Sequence, residues 1–219
     1  MVALPVIIGL DALQSRYQVV SLVQETCGLA AGYKVGLPSL LRIPGIGREV
    51  RKACDEALVI ADLKLADIAD TMVRVAEITS GWADAVIAHA FPGYEGALDG
   101  LSRFLEENRQ KLVVVVAMSN PGASETMDPI LEKLVGIAKR ARAWGLVAPA
   151  TRPHVIARAR NLFTEAVILS PGVGAQGARP GEAVRAGADY EIIGRLITTS
   201  RDPAATLQSL APSYKGRHV

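Results

Sequence analysis

Short runs rich in valine and isoleucine alternate with longer stretches whose apolar positions recur at helical spacing, and the alternation continues along the whole chain. The runs predict strands over residues 5–10, 32–36, 58–63, 85–89, 112–118, 146–148, 166–169 and 190–193. The intervening stretches predict helices over residues 13–27, 39–53, 68–80, 95–108, 127–143, 153–161, 180–186 and 199–210. A run such as Val113-Val114-Val115-Val116 has no polar face, so that strand must be buried on both sides, as in a parallel sheet covered by helices. Eight βα units in 219 residues predict a (β/α)8 TIM barrel forming a single domain over residues 1–219, with its active site on the loops that follow the strands. The competing architecture, an open doubly wound sheet, would want a G-x-G-x-x-G turn after its first strand, where this chain reads Gly9-Leu10-Asp11-Ala12.

Composition narrows the partners. The net charge is +2, with no basic cluster or interleaved aromatics, so nucleic acid is not expected as a ligand and a small molecule is. The apolar start, residues 1–10, lacks a basic leader, and runs such as residues 112–118 are too short to span a bilayer, so no membrane association is expected. The two cysteines, Cys27 and Cys54, lie far apart in sequence and form no C-x-x-C pair. Neither a disulfide nor a zinc site is therefore expected, and a reducing cytoplasm is the default location.

The most informative stretch is Ala61-Asp62-Leu63-Lys64-Leu65-Ala66-Asp67-Ile68-Ala69-Asp70-Thr71, where the third strand gives way to a helix. Side chains alternate along a strand, so Asp62 and Lys64 are expected to point the same way and Leu63 the other. Asp62 and Lys64 read either as a site or as a structural ion pair, and Asp67 either as part of a site or as an N-terminal cap. In a barrel, further polar residues gather at the same mouth: Asp11, Lys34, His89 and Ser119. Asp11 and Ser119 read equally as caps, and His89 as a core histidine with its hydrogen bonds satisfied. Lys34 is harder to dismiss, because a lysine is rarely buried without a partner, and Asp62 is the nearest candidate.

The seventh loop, Ser170-Pro171-Gly172-Val173-Gly174-Ala175-Gln176-Gly177-Ala178-Arg179-Pro180-Gly181, is glycine-rich and too long for a simple connector. It can turn backbone N–H groups toward an anion. The eighth strand ends in Gly194-Arg195, a close-approach glycine followed by a planar fork of donors. Together these predict phosphate binding at loops seven and eight.

Those residues resemble the orotidine 5'-monophosphate decarboxylases of the short archaeal type, over essentially the whole chain. The resemblance is carried by Asp62-Leu63-Lys64-Leu65-Ala66-Asp67-Ile68 with Thr71, by Pro171-Gly172-Val173-Gly174-Ala175-Gln176-Gly177, and by Gly194-Arg195. It implies a cofactor-free, metal-free carboxy-lyase acting on orotidine 5'-monophosphate in pyrimidine biosynthesis, as a homodimer with shared sites. Lys64, Asp62 and Lys34 would form the charged network at the reacting carbon, completed by the Asp67 of the second subunit. Asp11 and the second subunit's Thr71 would hold the ribose, with Lys34 near its hydroxyls. Ser119 would bond the pyrimidine, Gln176 would bridge base and phosphate beside Pro171, and Gly194 with Arg195 would grip the phosphate. The chain departs from the family's Ile-Pro-Asn-Thr in reading Ile68-Ala69-Asp70-Thr71, which bears on how that helix starts.

Two other functions compete. Barrels resembling this one, the 3-keto-L-gulonate 6-phosphate decarboxylases and hexulose-phosphate synthases, share Asp-x-Lys-x-x-Asp but use magnesium held by a glutamate at the end of strand two. This chain has Tyr33-Lys34-Val35-Gly36 there, a cation where a metal wants an anion. A non-catalytic nucleotide-binding barrel would need only loops seven and eight, and leaves Lys64 among acids without a reason.

Overall fold

A computed structural model describes residues 3–215 of the chain. Eight parallel strands close on themselves in sequence order, so the barrel expectation holds. The strands are β1 (Leu4–Gly9), β2 (Ala30–Gly36), β3 (Leu58–Leu65), β4 (Ala85–His89), β5 (Lys111–Val115), β6 (Gly145–Val147), β7 (Val167–Val173) and β8 (Tyr190–Ile193), with β8 pairing back onto β1 through Ile7 and Ile192. Closure leaves no free strand edge in the sheet.

The helices cover the outside. They are α1 (Arg16–Thr26), α2 (Leu37–Arg42), α3 (Ile46–Ala53), α4 (Ala69–Ala76), α5 (Asp99–Glu107), α6 (Ala123–Thr126), α7 (Leu131–Arg140), α8 (Pro153–Leu162), α9 (Glu182–Arg185), α10 (Arg195–Thr198) and α11 (Pro203–Ser209). Each longer helix turns one apolar stripe to the strands: Val19, Leu22 and Val23 in α1, or Leu131, Leu134, Val135 and Ala138 in α7, are buried at spacings of three and four. The start of α1 is fixed by Ser15 and Gln18, each side chain accepting from the other's backbone N–H in a capping box.

Several expected helices are broken for reasons visible in the chain. The helix expected over 39–53 is two, α2 and α3, because Pro44 cannot donate and Gly45 takes a left-handed φ of 82°. The stretch 127–143 becomes a 3-10 turn, Asp128–Ile130, followed by α7. The expected strand 112–118 ends at Val115, although Val116 and Ala117 stay buried. β7 instead runs on to Val173, pairing with Ile193 where a loop was expected.

One expectation is overturned. Cys27 and Cys54 form a disulfide, with Cα atoms 5.7 Å apart. They cap the C-terminal ends of α1 and α3, which pack side by side, so a separation of 27 in sequence becomes contact in space. With that bond the cysteines no longer argue for a reducing compartment. No helix among the described residues is long and apolar enough to cross a membrane.

Candidate active site

The C-terminal ends of β1, β2 and β3 bring four charges into one line. Lys34 Nζ lies 2.6 Å from Asp11 Oδ2 and 2.9 Å from Asp62 Oδ2, and Lys64 Nζ lies 2.6 Å from both Asp62 oxygens. The order Asp11–Lys34–Asp62–Lys64 alternates sign, so every like-charged pair is separated by a counter-ion. Lys34 is 8% and Asp62 6% exposed, which demands such pairing. Burial alone would lower the Lys34 pKa, but Asp62 and then Asp11 outweigh it and hold the ammonium above its ordinary value. Burial likewise works to raise Asp62, and Lys34 with Lys64 outweighs it, so the carboxylate titrates below its ordinary range.

Asp11 is itself held. Its Oδ1 accepts from the Gly36 N–H at 2.8 Å and from the hydroxyl of buried Ser39 at 3.3 Å. Any side chain at Gly36 would push the Asp11 carboxylate from this place, since a Cβ would sit 2.5 Å from that same oxygen. Ser39 and the Gly36 amide were invisible as site residues in the sequence, because a serine at a helix start reads as ordinary turn chemistry.

Lys64 reaches the site by a different route from simple strand alternation. Between the pairs Ala61↔Val86 and Leu65↔Ala88 the register slips, and Lys64 adopts a left-handed φ of 46°. A bulge therefore re-aims the lysine, and the backbone carries strain of about 1–2 kcal/mol for a residue with a Cβ. Such strain at a charged strand end is the sort of outlier that marks a working site.

Facing the charges is an apolar wall. Ile87, Val115, Val147 and Ile192, from four different strands, line a cavity of about 450 Å³ together with Asp11, Lys34, Asp62, Lys64, Ser119, Pro171 and Gln176. A contiguous cavity of about 320 Å³ adds Gly9 at the end of β1 and Gly172, Gly194 and Arg195 at the ends of β7 and β8. Arg195 makes no side-chain hydrogen bond or ion pair with the described residues, so its guanidinium is available to a ligand. One end of the combined hollow is thus a charged array against an apolar wall, and the other is a glycine-rich backbone with a free arginine. The first suits a developing negative charge and a proton donor, the second an anion such as a phosphate.

Of the residues singled out from sequence, Asp67, Thr71 and His89 do not line this hollow. Asp67 is exposed, and its Oδ1 accepts from the N–H of Ile68, the residue that caps α4. The helix begins at Ala69 without the usual proline, and the extra charge, Asp70, is paired with Arg74 one turn on at 2.9 Å. His89 ends β4, buried, with Nδ1 lacking a hydrogen-bond partner among the described residues and its ring 5.2 Å from that of Phe91. Burial first, and the nearby Lys64 second, push its pKa down. Of the two readings of His89, a core histidine with its hydrogen bonds satisfied does not fit this unpartnered Nδ1.

Three comparisons bear on this geometry. Residues 4–210 match the model of the orotidine 5'-phosphate decarboxylase / HUMPS family. The chain is 47% identical over 204 residues to the orotidine 5'-phosphate decarboxylase of Aeropyrum pernix, covering 91% of this chain and 83% of that one, and 45% identical over 178 residues to that of Sulfurisphaera tokodaii, covering 81% of each. Among solved structures, the orotidine 5'-monophosphate decarboxylase of Metallosphaera sedula aligns with a TM-score of 0.85 at 39% identity, over 97% of this chain and 98% of that one. The enzyme of Methanocaldococcus jannaschii, in complex with the inhibitor BMP, aligns with a TM-score of 0.88 at 31% identity, over 96% and 98%.

Proposed function

The chain belongs to the orotidine 5'-phosphate decarboxylase / HUMPS family, and from that membership we propose that it converts orotidine 5'-monophosphate to uridine 5'-monophosphate and carbon dioxide. The observation that carries this reading is the alternating array Asp11–Lys34–Asp62–Lys64 set against an apolar wall. It serves the pyrimidine pathway, in the cytoplasm, and without a cofactor. The bond from C6 to the carboxyl group breaks heterolytically and its electron pair stays on C6. Lys64 stabilises that pair and then gives C6 a proton, which solvent restores to the amine.

Asp62 stays charged beside the departing carboxylate, and their repulsion at about 4 Å amounts to roughly 4 kcal/mol at an effective dielectric near 20. The largest enzymatic accelerations require on the order of 20 kcal/mol, so repulsion is a minor contribution. The greater part falls to charges already oriented before substrate arrives, and to phosphate binding by Arg195, Gly194 and the seventh loop, which closes Gln176 over the base. Ser119 bonds the pyrimidine, with Pro171 packing beside it, and Asp11 with Lys34 takes the ribose hydroxyls.

The working unit is a homodimer. The partner subunit's Asp67 completes the charged network and the partner subunit's Thr71 reaches the ribose. Support comes from their place outside their own cavity and from exposed Leu41, Ile68 and Phe91, three large apolar side chains of the kind that a second copy would cover.

The magnesium-dependent members of the family are the competing reading. Here Lys34 Nζ sits between Asp11 and Asp62, and a divalent ion seated there would be repelled by that ammonium. The deciding experiment follows the absorbance of orotidine 5'-monophosphate with and without excess chelator. Turnover unchanged by chelator is expected; activity that vanishes with chelator and returns with magnesium would overturn the proposal.

A further inference from the structure

Glu191 is a carboxylate that the reaction above does not use. It alternates in β8 with Ile192, which lines the cavity, so Glu191 faces the layer between barrel and helices, where it is 0% exposed. Its oxygens are fully occupied. Oε2 accepts from the Gly181 N–H at 2.9 Å and from the Tyr214 hydroxyl at 2.6 Å, while Oε1 accepts from the N–H groups of Ala183 at 2.9 Å and Val184 at 3.4 Å. Burial and then Glu191 itself push the Tyr214 phenol upward, which keeps it a donor.

These bonds meet at one end of the seventh loop. Its leading end is Val173, paired with Ile193 of β8, and the Gly174 N–H donates to the Ala178 carbonyl at 2.8 Å across the loop's neck. The trailing end is Gly181, with φ of 83°, where a Cβ would stand 2.3 Å from the Ser213 carbonyl oxygen. The Ala211–Tyr214 turn is thus in backbone contact with the loop end that Glu191 grips. Gln176, the residue that closes over the base in the reading above, lies between these two fixed points.

We propose that Glu191, braced by Tyr214, is a positioning residue that locks the trailing end of the phosphate loop to β8, the strand that leads into Gly194 and Arg195. It touches no reacting atom. A loop can convert phosphate binding into closure only if its ends hold still, and Glu191 supplies the second anchor. The proposal rests on the reading that this loop and Arg195 take a phosphate.

The test separates positioning from general stability. Glu191→Gln and Tyr214→Phe are assayed well below their unfolding temperatures on orotidine 5'-monophosphate and on the nucleoside orotidine, which has no phosphate for the loop to grip. Glu191→Gln is expected to lose about 10–100-fold in kcat/KM on the nucleotide and less than about twofold on the nucleoside, and Tyr214→Phe about 3–10-fold on the nucleotide, through KM. Equal losses on both substrates, or none on the nucleotide, would overturn the proposal. If the wild-type protein does not turn over the nucleotide, the reaction assignment fails instead. The anchor is then read from amide exchange: Glu191→Gln must accelerate residues 174–181 relative to the barrel strands, and uniform exchange refutes it.

Discussion

The β3–β4 and β7–β8 quarters of the barrel share one clamp at the end where strands begin and differ entirely where strands finish. In the first, Arg51 of α3 donates to the carbonyls of Asp55 and Ala57, four and six residues on, and to that of Trp82, and pairs with Asp84, whose carboxylate also accepts from the Val59 N–H. In the second, Arg160 of α8 donates to the carbonyls of Thr164 and Ala166, again four and six residues on, and to that of Gly187, and pairs with Asp189, which accepts from the Ile168 N–H. At the far ends, β3 offers Asp62 and a strained Lys64, and β4 offers His89. β7 and β8 offer glycine-rich backbone and Arg195. Identical footings thus carry one quarter that ends in paired charges and another that ends in glycine-rich backbone and an arginine. The scaffold is repeated, while the chemistry is local to each strand's last residues.

That division can be broken from either side, and the largest effect belongs at the top of β3. Lys64→Ala should lower turnover by at least about 10⁴-fold, since both charge stabilisation and proton donation go with one amine. Unfolding temperature and product affinity should stay close to the parent values; near-parental turnover would defeat the role given to Lys64. Next comes the top of β8. Arg195→Ala should reduce kcat/KM by about 10²–10³-fold, because binding energy at a remote phosphate is realised in the transition state. A change confined to product affinity would break the link between the two quarters.

The footings should behave in the opposite sense. Arg51→Met and Arg160→Met should each cost about 2–3 kcal/mol, or roughly 4–12 °C in melting temperature, with kcat at ambient temperature unchanged. Similar losses for the two would confirm that the clamps are equivalent; a selective loss of turnover in either would refute the division. Smallest is the pH response of the array. Asp62 is held below its unfolded value near 3.9, so its contribution is present above about pH 4 and fades as pH falls through the folded pKa. Lys34 is held above its unfolded value near 10.4, so its contribution is present below that and fades as pH rises through the folded pKa. Melting temperature against pH should show Asp62→Asn blunting the acid limb, and an unchanged limb would place the sensitive group elsewhere.

Much of the barrel is legible because short parallel strands bounded by charged or turn residues have sharp edges: Ala85–His89 and Tyr190–Ile193 match the expected bounds. Residues 116–118 misled because apolarity reports burial, and Val116 and Ala117 are buried without strand pairing. Pro44-Gly45 was a written stop signal inside an amphipathic pattern, and the pattern masked it. Lys34, Asp62 and Lys64 could be grouped from strand ends alone, but not the bulge that aims Lys64, since a φ of 46° at lysine has no composition signature. Nothing in the sequence singles out Glu191 within its short strand. Its donors lie on a loop end, the first turn of α9 and a further turn, 7 to 23 residues away, a meeting that only the closed barrel creates. The Cys27–Cys54 bond runs against the sequence expectation for a like reason, since a separation of 27 residues becomes contact only where α1 and α3 pack together.

That bond has a topological result. β2, with Lys34 on it, lies wholly inside the covalent ring running from Cys27 to Cys54, as do α2 and α3. A proteolytic nick at the Pro44-Gly45 bend would leave both fragments joined through sulfur, so the strand that holds the lysine between two acids cannot drift away from the strands on either side.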